Sequence, residues 1–339
     1  MNDGQAKTLS GLALRQDASP VTWRHFPDKL LLVFLCAAWV ILFHYMGNST
    51  LGYVHTPSLF GWWFWMSTRG VDGGNAWQVL KQLPALDEAH LWFMPFVVLG
   101  LFWWKRRELA ELPKGEWWPA IVALAFALLL HVLGYVVQQT RISLVAFSFG
   151  IYALTGLFWG RKWMRDSLFP FSLLLFCVPL GPNNIEFITF PLRLLATKIT
   201  MMLVNGVLGI DAIQSGTLIW DPSGRYQYEV AAACGGIRSL IAISALAVVF
   251  GHLEFNKNSL RLLMVAAAVP LAVIGNVARL CAIIAAAEAF GQSAGNYVHE
   301  SFWLSLLPYV PAFACFAVLG RWLRKRGGKG ALILEAKAV

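Results

Sequence analysis

The chain has 339 residues, of which 58% are hydrophobic and only 13% are charged, whereas a soluble globular domain is about 45–50% apolar and about 25% charged. This composition excludes an ordinary soluble protein and predicts an integral membrane protein. The net charge of +9 does not indicate nucleic-acid binding, because that function needs basic residues clustered on one face. Here they lie between apolar runs, so we expect the lipid bilayer and no nucleic acid as a partner.

Apolar segments recur along the whole chain. A helix needs roughly 20 mostly apolar residues to cross the hydrocarbon core of a bilayer, and eight segments reach or approach this length. The sequence therefore predicts an all-α, polytopic transmembrane helical bundle of about eight spans. The predicted spans are residues 30–46, 88–104, 119–137, 142–160, 168–180, 230–252, 262–284 and 302–320.

The basic residues between these spans predict the orientation of the chain. Cytoplasmic loops are enriched in Lys and Arg. With the N-terminus inside, the inner segments hold 19 Lys and Arg and the outer ones hold 6, while Arg238 and Arg279 fall within spans. We therefore expect both termini to face the cytoplasm, in a plasma (inner) membrane protein.

Two predicted outer segments, 47–90 and 181–229, are long enough to hold structure of their own. Within the second, the apolar stretch 187–209 carries Arg193 and Lys198. We interpret it as a surface-lying or re-entrant helix with both cations on one side. Alternating strand-like residues on either side of Asp221-Pro222-Ser223-Gly224 predict a small outer-face hairpin that leads into the sixth span.

Ionisable residues within spans are the candidates for function, because a charge in the bilayer is costly unless it is paired or hydrated. Arg238 lies one turn beyond Cys234, and Asn276 lies one turn before Arg279. His299 precedes the eighth span. Three consecutive antiparallel helices would bring Cys234, Arg279 and His299 to a similar depth near the outer face.

The chemistry of this set is that of a cysteine nucleophile. A thiolate attacks a peptide carbonyl, an imidazole carries a proton to the leaving amine, and a guanidinium stabilises developing negative charge. Gly235 and Gly236 follow Cys234 near a helix start, where backbone can approach closely and the helix dipole favours a thiolate. The other four cysteines and the remaining histidines show no catalytic or metal-binding spacing, so we expect no metal and no cofactor.

Two other classes of function remain open at this stage. Arg238 and Arg279 could form an anion site in a non-catalytic transporter or lipid-binding protein. A lipid transferase that is acylated on Cys234 uses the same nucleophile. An intramembrane protease of serine, metallo or aspartyl type is not favoured at this stage, and H-E-x-x-H does not occur.

The stretch from about 174 to 303 resembles the exosortase/archaeosortase family of integral-membrane cysteine transpeptidases. The matching motifs, in order, are Val178-Pro179-Leu180-Gly181-Pro182, Ala233-Cys234-Gly235-Gly236-Ile237-Arg238, Asn276-Val277-Ala278-Arg279, and His299. The resemblance implies Cys234 as the nucleophile, with Arg279 and His299 completing the site and with Arg238, Asn276, Gly235 and Gly236 in substrate-binding or supporting roles.

The resemblance also implies the partners of the chain and its division into regions. Its substrates would be membrane-anchored exported proteins with C-terminal sorting signals, each a short motif, a membrane helix and a basic tail. We divide the chain into a cytoplasmic N-terminal segment (1–29), N-terminal transmembrane helices (30–167), an exosortase-like catalytic transmembrane region (168–320) and a basic cytoplasmic tail (321–339).

Overall fold

The computed structural model describes residues 26–47, 56–68, 90–180, 186–230, 237–301 and 309–327. This part of the chain is mostly helical. Each of the eight predicted spans overlaps a helix. Three helical segments in the described ranges are long and apolar enough to cross a membrane, namely Pro119–Val136, Thr140–Cys177 and Asn258–Phe290. The chain is therefore a mostly helical membrane protein, and the number of crossings stays a prediction.

Five helices and a 3-10 segment lie among the described residues of the N-terminal part. Trp39 and Phe43 of the first helix pack with Leu144 and Leu154 of the fifth in one buried cluster. The helices are α1 (Phe26–Tyr45), α2 (Leu59–Ser67), α3 (His90–Glu111), α4 (Pro119–Val136) and α5 (Thr140–Ser172), and the 3-10 segment is Leu173–Cys177.

Helix α5 is broken at Gly160, whose φ of 89° and ψ of 176° are not helical. The two halves fold back on each other, because the Tyr152 hydroxyl donates to the backbone oxygen of Met164 over 2.9 Å. The rings of Tyr152 and Phe171 also lie 5.0 Å apart. The predicted spans 142–160 and 168–180 are thus antiparallel neighbours, and the chain reverses its direction at Gly160.

Helix α6 (Glu186–Gly206) corresponds to the stretch interpreted as surface-lying or re-entrant. Arg193 is buried and pairs with Glu186 at 3.1 Å, whereas Lys198 is exposed. The prediction that both cations share one side is wrong, because residues five apart are separated by about 140° around a helix. The buried side of α6 packs against the long helix α8 (Asn258–Phe290).

Three short strands form an antiparallel sheet in the order β1-β2-β3. The strands are β1 (Ile213–Ser215), β2 (Leu218–Trp220) and β3 (Gln227–Glu229). Strands β2 and β3 pair across the Asp-Pro-Ser-Gly turn, with Ile219 opposite Tyr228. Strand β1 was not predicted from the sequence. Ile219, Tyr226 and Val230 are buried together with Leu280 and Ile284, so the sheet packs on α8.

The remaining helices are α7 (Ile237–Glu254), α9 (Gln292–Glu300) and α10 (Tyr309–Gly327). α7, α8 and α10 share a buried cluster that includes Ile243, Met264 and Phe316. α10 begins seven residues later than the predicted eighth span, and residues 302–308 lie outside the described residues. α9 was not predicted.

Contacts near the helix ends join residues from segments that are predicted to lie on the same face. On one side, Lys105 bonds the backbone oxygen of Asp166 at 3.2 Å, and Arg324 pairs with Glu254 at 2.7 Å. All four belong to, or border, segments predicted to be cytoplasmic. On the other side, Arg141 donates to the oxygen of Pro179 over 2.6 Å. The assignment of either side to the cytoplasm stays a prediction.

Candidate active site

Arg279 and His299 come together because the chain reverses between them. α8 ends at Phe290, and Gly291, with φ of 86° and ψ of 173°, turns the chain into α9. α9 then folds back along α8. Nη2 of Arg279 donates to the backbone oxygen of His299 over 3.0 Å. The expected proximity of the two residues is thus present in the structure, and a helix that the sequence analysis missed produces it.

Asn276 lies one turn before Arg279 and is buried at 5% exposure. Its Nδ2 has no hydrogen-bond partner among the described residues. The side chain lines a small cleft between α6, α7 and α8, together with Thr189, Leu192, Ala196, Leu240, Ala272 and Val273. A buried amide donor without a partner has a free-energy cost, which a carbonyl or water entering this apolar cleft would remove.

Cys234, Gly235 and Gly236 lie outside the described residues, and Arg238 is described only as the second residue of α7. The segments that flank them are described. Val230 is buried beside Leu280, which follows Arg279 directly, and Ile237 begins α7. The nucleophile and Arg238 predicted from the sequence therefore remain predictions. Arg279, His299 and Asn276 can be located, and their catalytic or binding roles are proposals.

An ionic network holds the turn of the sheet against α8. Arg225 pairs with Asp221 at 2.9 Å and with Glu288 at 2.6 Å. A hydrogen bond from the Ser223 hydroxyl, followed by those from Arg225, lowers the pKa of Asp221 from 3.8 to about 2. Arg225 and Glu288 were not singled out in the sequence, because charged residues in a predicted outer loop are ordinarily solvated.

The other cysteines and several histidines have structural surroundings. Cys36, Cys177, Cys281 and Cys315 are free thiols. His131 hydrogen-bonds Ser143 at 3.1 Å, and His44 hydrogen-bonds Ser58 at 3.0 Å. Within the described ranges, no group of three His, Cys, Asp or Glu residues could hold a metal ion.

Residues 291–295 read Gly-Gln-Ser-Ala-Gly, a G-x-S-x-G spacing that the sequence analysis overlooked. In serine hydrolases this motif presents its Ser on a sharp turn from a strand into a helix. Here a helix precedes it, and Ser293 lies exposed on the first turn of α9. The structural context of a nucleophile elbow is absent from this part of the described structure.

The fold is that of an integral membrane protein in which Arg279 contacts the backbone of His299, while Asn276, one turn away, lines a cleft between three helices. Comparison with family models matches residues 77–319, more than two-thirds of the chain, to the family described as transmembrane exosortase. The chain belongs to this family. The match begins well before residue 174, where the resemblance in the sequence motifs starts. Searches of curated proteins and of solved structures found no match.

Proposed function

We propose that the chain is a membrane cysteine transpeptidase that cleaves C-terminal sorting signals from exported proteins at the outer face of the membrane. The observation that carries the proposal is the contact between Arg279 and His299. Val230, the last described residue before the segment that contains Cys234, is buried in one cluster with Leu280, which follows Arg279. Membership of the exosortase family supports the same class of reaction. The plasma membrane, with both termini in the cytoplasm, is the location that we propose with it.

In the proposed reaction, the Cys234 thiolate attacks the carbonyl carbon of the scissile peptide bond. The carbon–nitrogen bond breaks, His299 gives its proton to the leaving amine, and the exported protein remains as a thioester on Cys234. An amine acceptor then attacks the thioester, an amide forms as the carbon–sulfur bond breaks, the proton of the amine passes to His299, and the Cys234 thiolate is released. Arg279 stabilises the negative charge on the thiolate or on the carbonyl oxygen.

We propose roles for the supporting residues as well. Asn276 donates to a substrate carbonyl from the wall of the cleft, because its buried amide has no partner in the described structure. Arg238 adds positive charge at the start of α7, and Gly235 and Gly236 leave room for the substrate backbone beside Cys234. We propose residues 168–320 as the catalytic region, preceded by the helices of 30–167 and flanked by cytoplasmic segments 1–29 and 321–339.

The test uses an exported reporter domain that ends in a candidate sorting signal from the same genome: a motif, a membrane helix and a basic tail. Co-expression with the chain should shorten at least one such reporter, and Cys234→Ala should abolish the shortening. The matched control keeps Cys234 as the sole cysteine, with Cys36, Cys177, Cys281 and Cys315 replaced by Ala. This control should process the reporter at the rate of the unmodified chain.

A second readout captures the intermediate. The active chain should form a covalent adduct with the reporter that hydroxylamine cleaves, as expected of a thioester. Unimpaired processing by the Cys234→Ala chain would overturn the proposal. Reporters whose length does not depend on the chain would also contradict it and would favour the alternative class, a transporter or lipid-binding protein that uses Arg238 and Arg279 as an anion site.

A further inference from the structure

The three-stranded sheet contacts α9 at the end opposite to His299. The side-chain amide of Gln292, the first residue of α9, pairs with the backbone of Gln227 in β3. Its Oε1 accepts from the Gln227 N–H over 3.0 Å, and its Nε2 donates to the Gln227 oxygen over 3.0 Å. The Tyr228 hydroxyl donates to the backbone oxygen of Gln292, also over 3.0 Å. Three hydrogen bonds therefore meet at one residue.

Close packing accompanies these bonds. A Cβ on Gly295 would lie 2.1 Å from the hydroxyl oxygen of Tyr228 and 2.9 Å from its Cζ. Only glycine allows the ring to approach α9 so closely. The Arg225–Glu288 ion pair holds the last turns of α8 to the same sheet, just before Gly291.

We propose that β3 and its turn act as a clamp that fixes α9 on α8, and that Gln292 and Tyr228 are positioning residues for His299. α9 has nine residues and is held at both ends, by the sheet at Gln292 and by Arg279 at His299. A helix this short is marginal by itself in water, so the external contacts set its position. The role assigned to His299 rests on the proposed function, whereas the clamp itself does not.

The first experiment measures backbone hydrogen exchange of residues 292–300 in the purified full chain. Gln292→Ala removes both hydrogen bonds of the side-chain amide and should speed hydrogen exchange in α9 about tenfold. Gly295→Ala should do the same, because the ring of Tyr228 must move. The double variant Gly295→Ala with Tyr228→Leu, which removes the obstructing Cζ and hydroxyl, should restore part of the protection.

The matched controls are Gln214→Ala and Gly100→Ala. Gln214 donates its amide within the same sheet, to the oxygen of Gly216, and makes no contact with α9 among those described. A Cβ on Gly100 meets nothing within 4 Å. Both controls should leave exchange in α9 unchanged, and unchanged exchange in Gln292→Ala and Gly295→Ala as well would overturn the clamp, whatever the activity of the chain.

The second experiment measures reporter cleavage by the same variants. A displaced His299 should lower kcat about tenfold with little change in KM, because proton transfer depends on geometry more than binding does. Adding Tyr228→Leu to the Gly295→Ala chain should recover part of the kcat that Gly295→Ala loses. Faster exchange with unchanged kcat would overturn the positioning role. Failure of the proposed function would be visible separately, as unimpaired processing by Cys234→Ala.

Discussion

Arg279 occupies the second half of a helix that is long and apolar enough to cross a membrane. A cation at such a depth is costly unless it is paired or hydrated. The backbone oxygen of His299 supplies one partner, and this contact couples the guanidinium to the residue proposed as the proton carrier. The planar fork of Arg can hold that oxygen and still direct other N–H groups toward a thiolate or an oxyanion.

Replacement of Arg279 by Lys should therefore lower reporter cleavage by at least about tenfold. Lysine keeps the charge but loses the fork, so it cannot make both contacts in the same geometry. The measurement is the single-turnover rate of the purified variant. Arg261→Lys is the matched control, since Arg261 also donates to a backbone oxygen, that of Phe255 over 2.7 Å, near the other end of α8. Equal rates for the two variants would remove Arg279 from the mechanism.

The candidate residues of the site were accessible from the sequence to different degrees. Arg279 and Asn276 could be recognised in the sequence, because polar residues within an apolar membrane helix are costly and usually serve a function. For His299 the sequence predicted a membrane face but not a depth, because the depth depends on the reversal at Gly291. Glu288 and Gln292 could not be recognised, since their role depends on a sheet that packs from a distant part of the chain.

Two glycines determine the arrangement of the elements, Gly160 within α5 and Gly291 after α8. Both have positive φ, a region that L-residues other than glycine rarely adopt. Each turns a helix back on itself, so α5 becomes an antiparallel pair and α9 returns along α8. The sequence pattern did not reveal either reversal fully, because hydrophobic periodicity reports the face of a helix and not the conformation of one glycine.

Gly160→Ala should destabilise the chain by about 1–3 kcal/mol, the typical cost of forcing a non-glycine residue into such a conformation. The added Cβ would also lie 2.7 Å from the backbone oxygen of Gly115. Thermal unfolding in detergent measures the effect. Gly100→Ala in α3, where the space is open, should be neutral or slightly stabilising. A Gly160→Ala chain as stable as this control would contradict the expectation.

The turn between β2 and β3 should make stability depend on acid pH. The pKa of Asp221 is lowered from 3.8 to about 2 by Ser223 and Arg225, so its contribution is complete above about pH 4. That contribution is lost as the pH falls toward 2. The melting temperature of the unmodified chain should exceed that of Asp221→Asn at pH 5, and the difference should shrink between pH 4 and pH 2. A difference in melting temperature that is the same at every pH would argue against the ionised carboxylate of Asp221 as the source of the stabilisation.

At the scale of the molecule, contacts between described residues connect segments that the positive-inside rule assigns to the same face. Glu254 meets Arg324 on one face, while β3 meets Gln292 on the other. The sequence could group segments by face, because the charge and the hydropathy of each segment follow directly from its residues. It could not supply the packing order of the helices, which depends on side-chain shape at distant positions.

Single cysteines in a chain without its five natural ones should report the orientation. Ser293→Cys in α9 should react with a membrane-impermeant maleimide on intact cells. Glu116→Cys, in the loop before α4, should react only after the membrane is permeabilised. Both residues are exposed, so the comparison tests location and not burial. The reverse pattern would place both termini outside.

The amide of Gln292 also has a consequence for substrate recognition. It bonds the outward-facing N–H and oxygen of Gln227, and these are the groups that an added strand would need. A sorting motif therefore cannot extend the sheet by β-augmentation beside β3 without displacing Gln292. Among the described residues, β1 forms the other edge of the sheet, and an added strand would have to pair there. The side of the sheet that contacts α9 is thus closed to an added strand as long as Gln292 keeps its place.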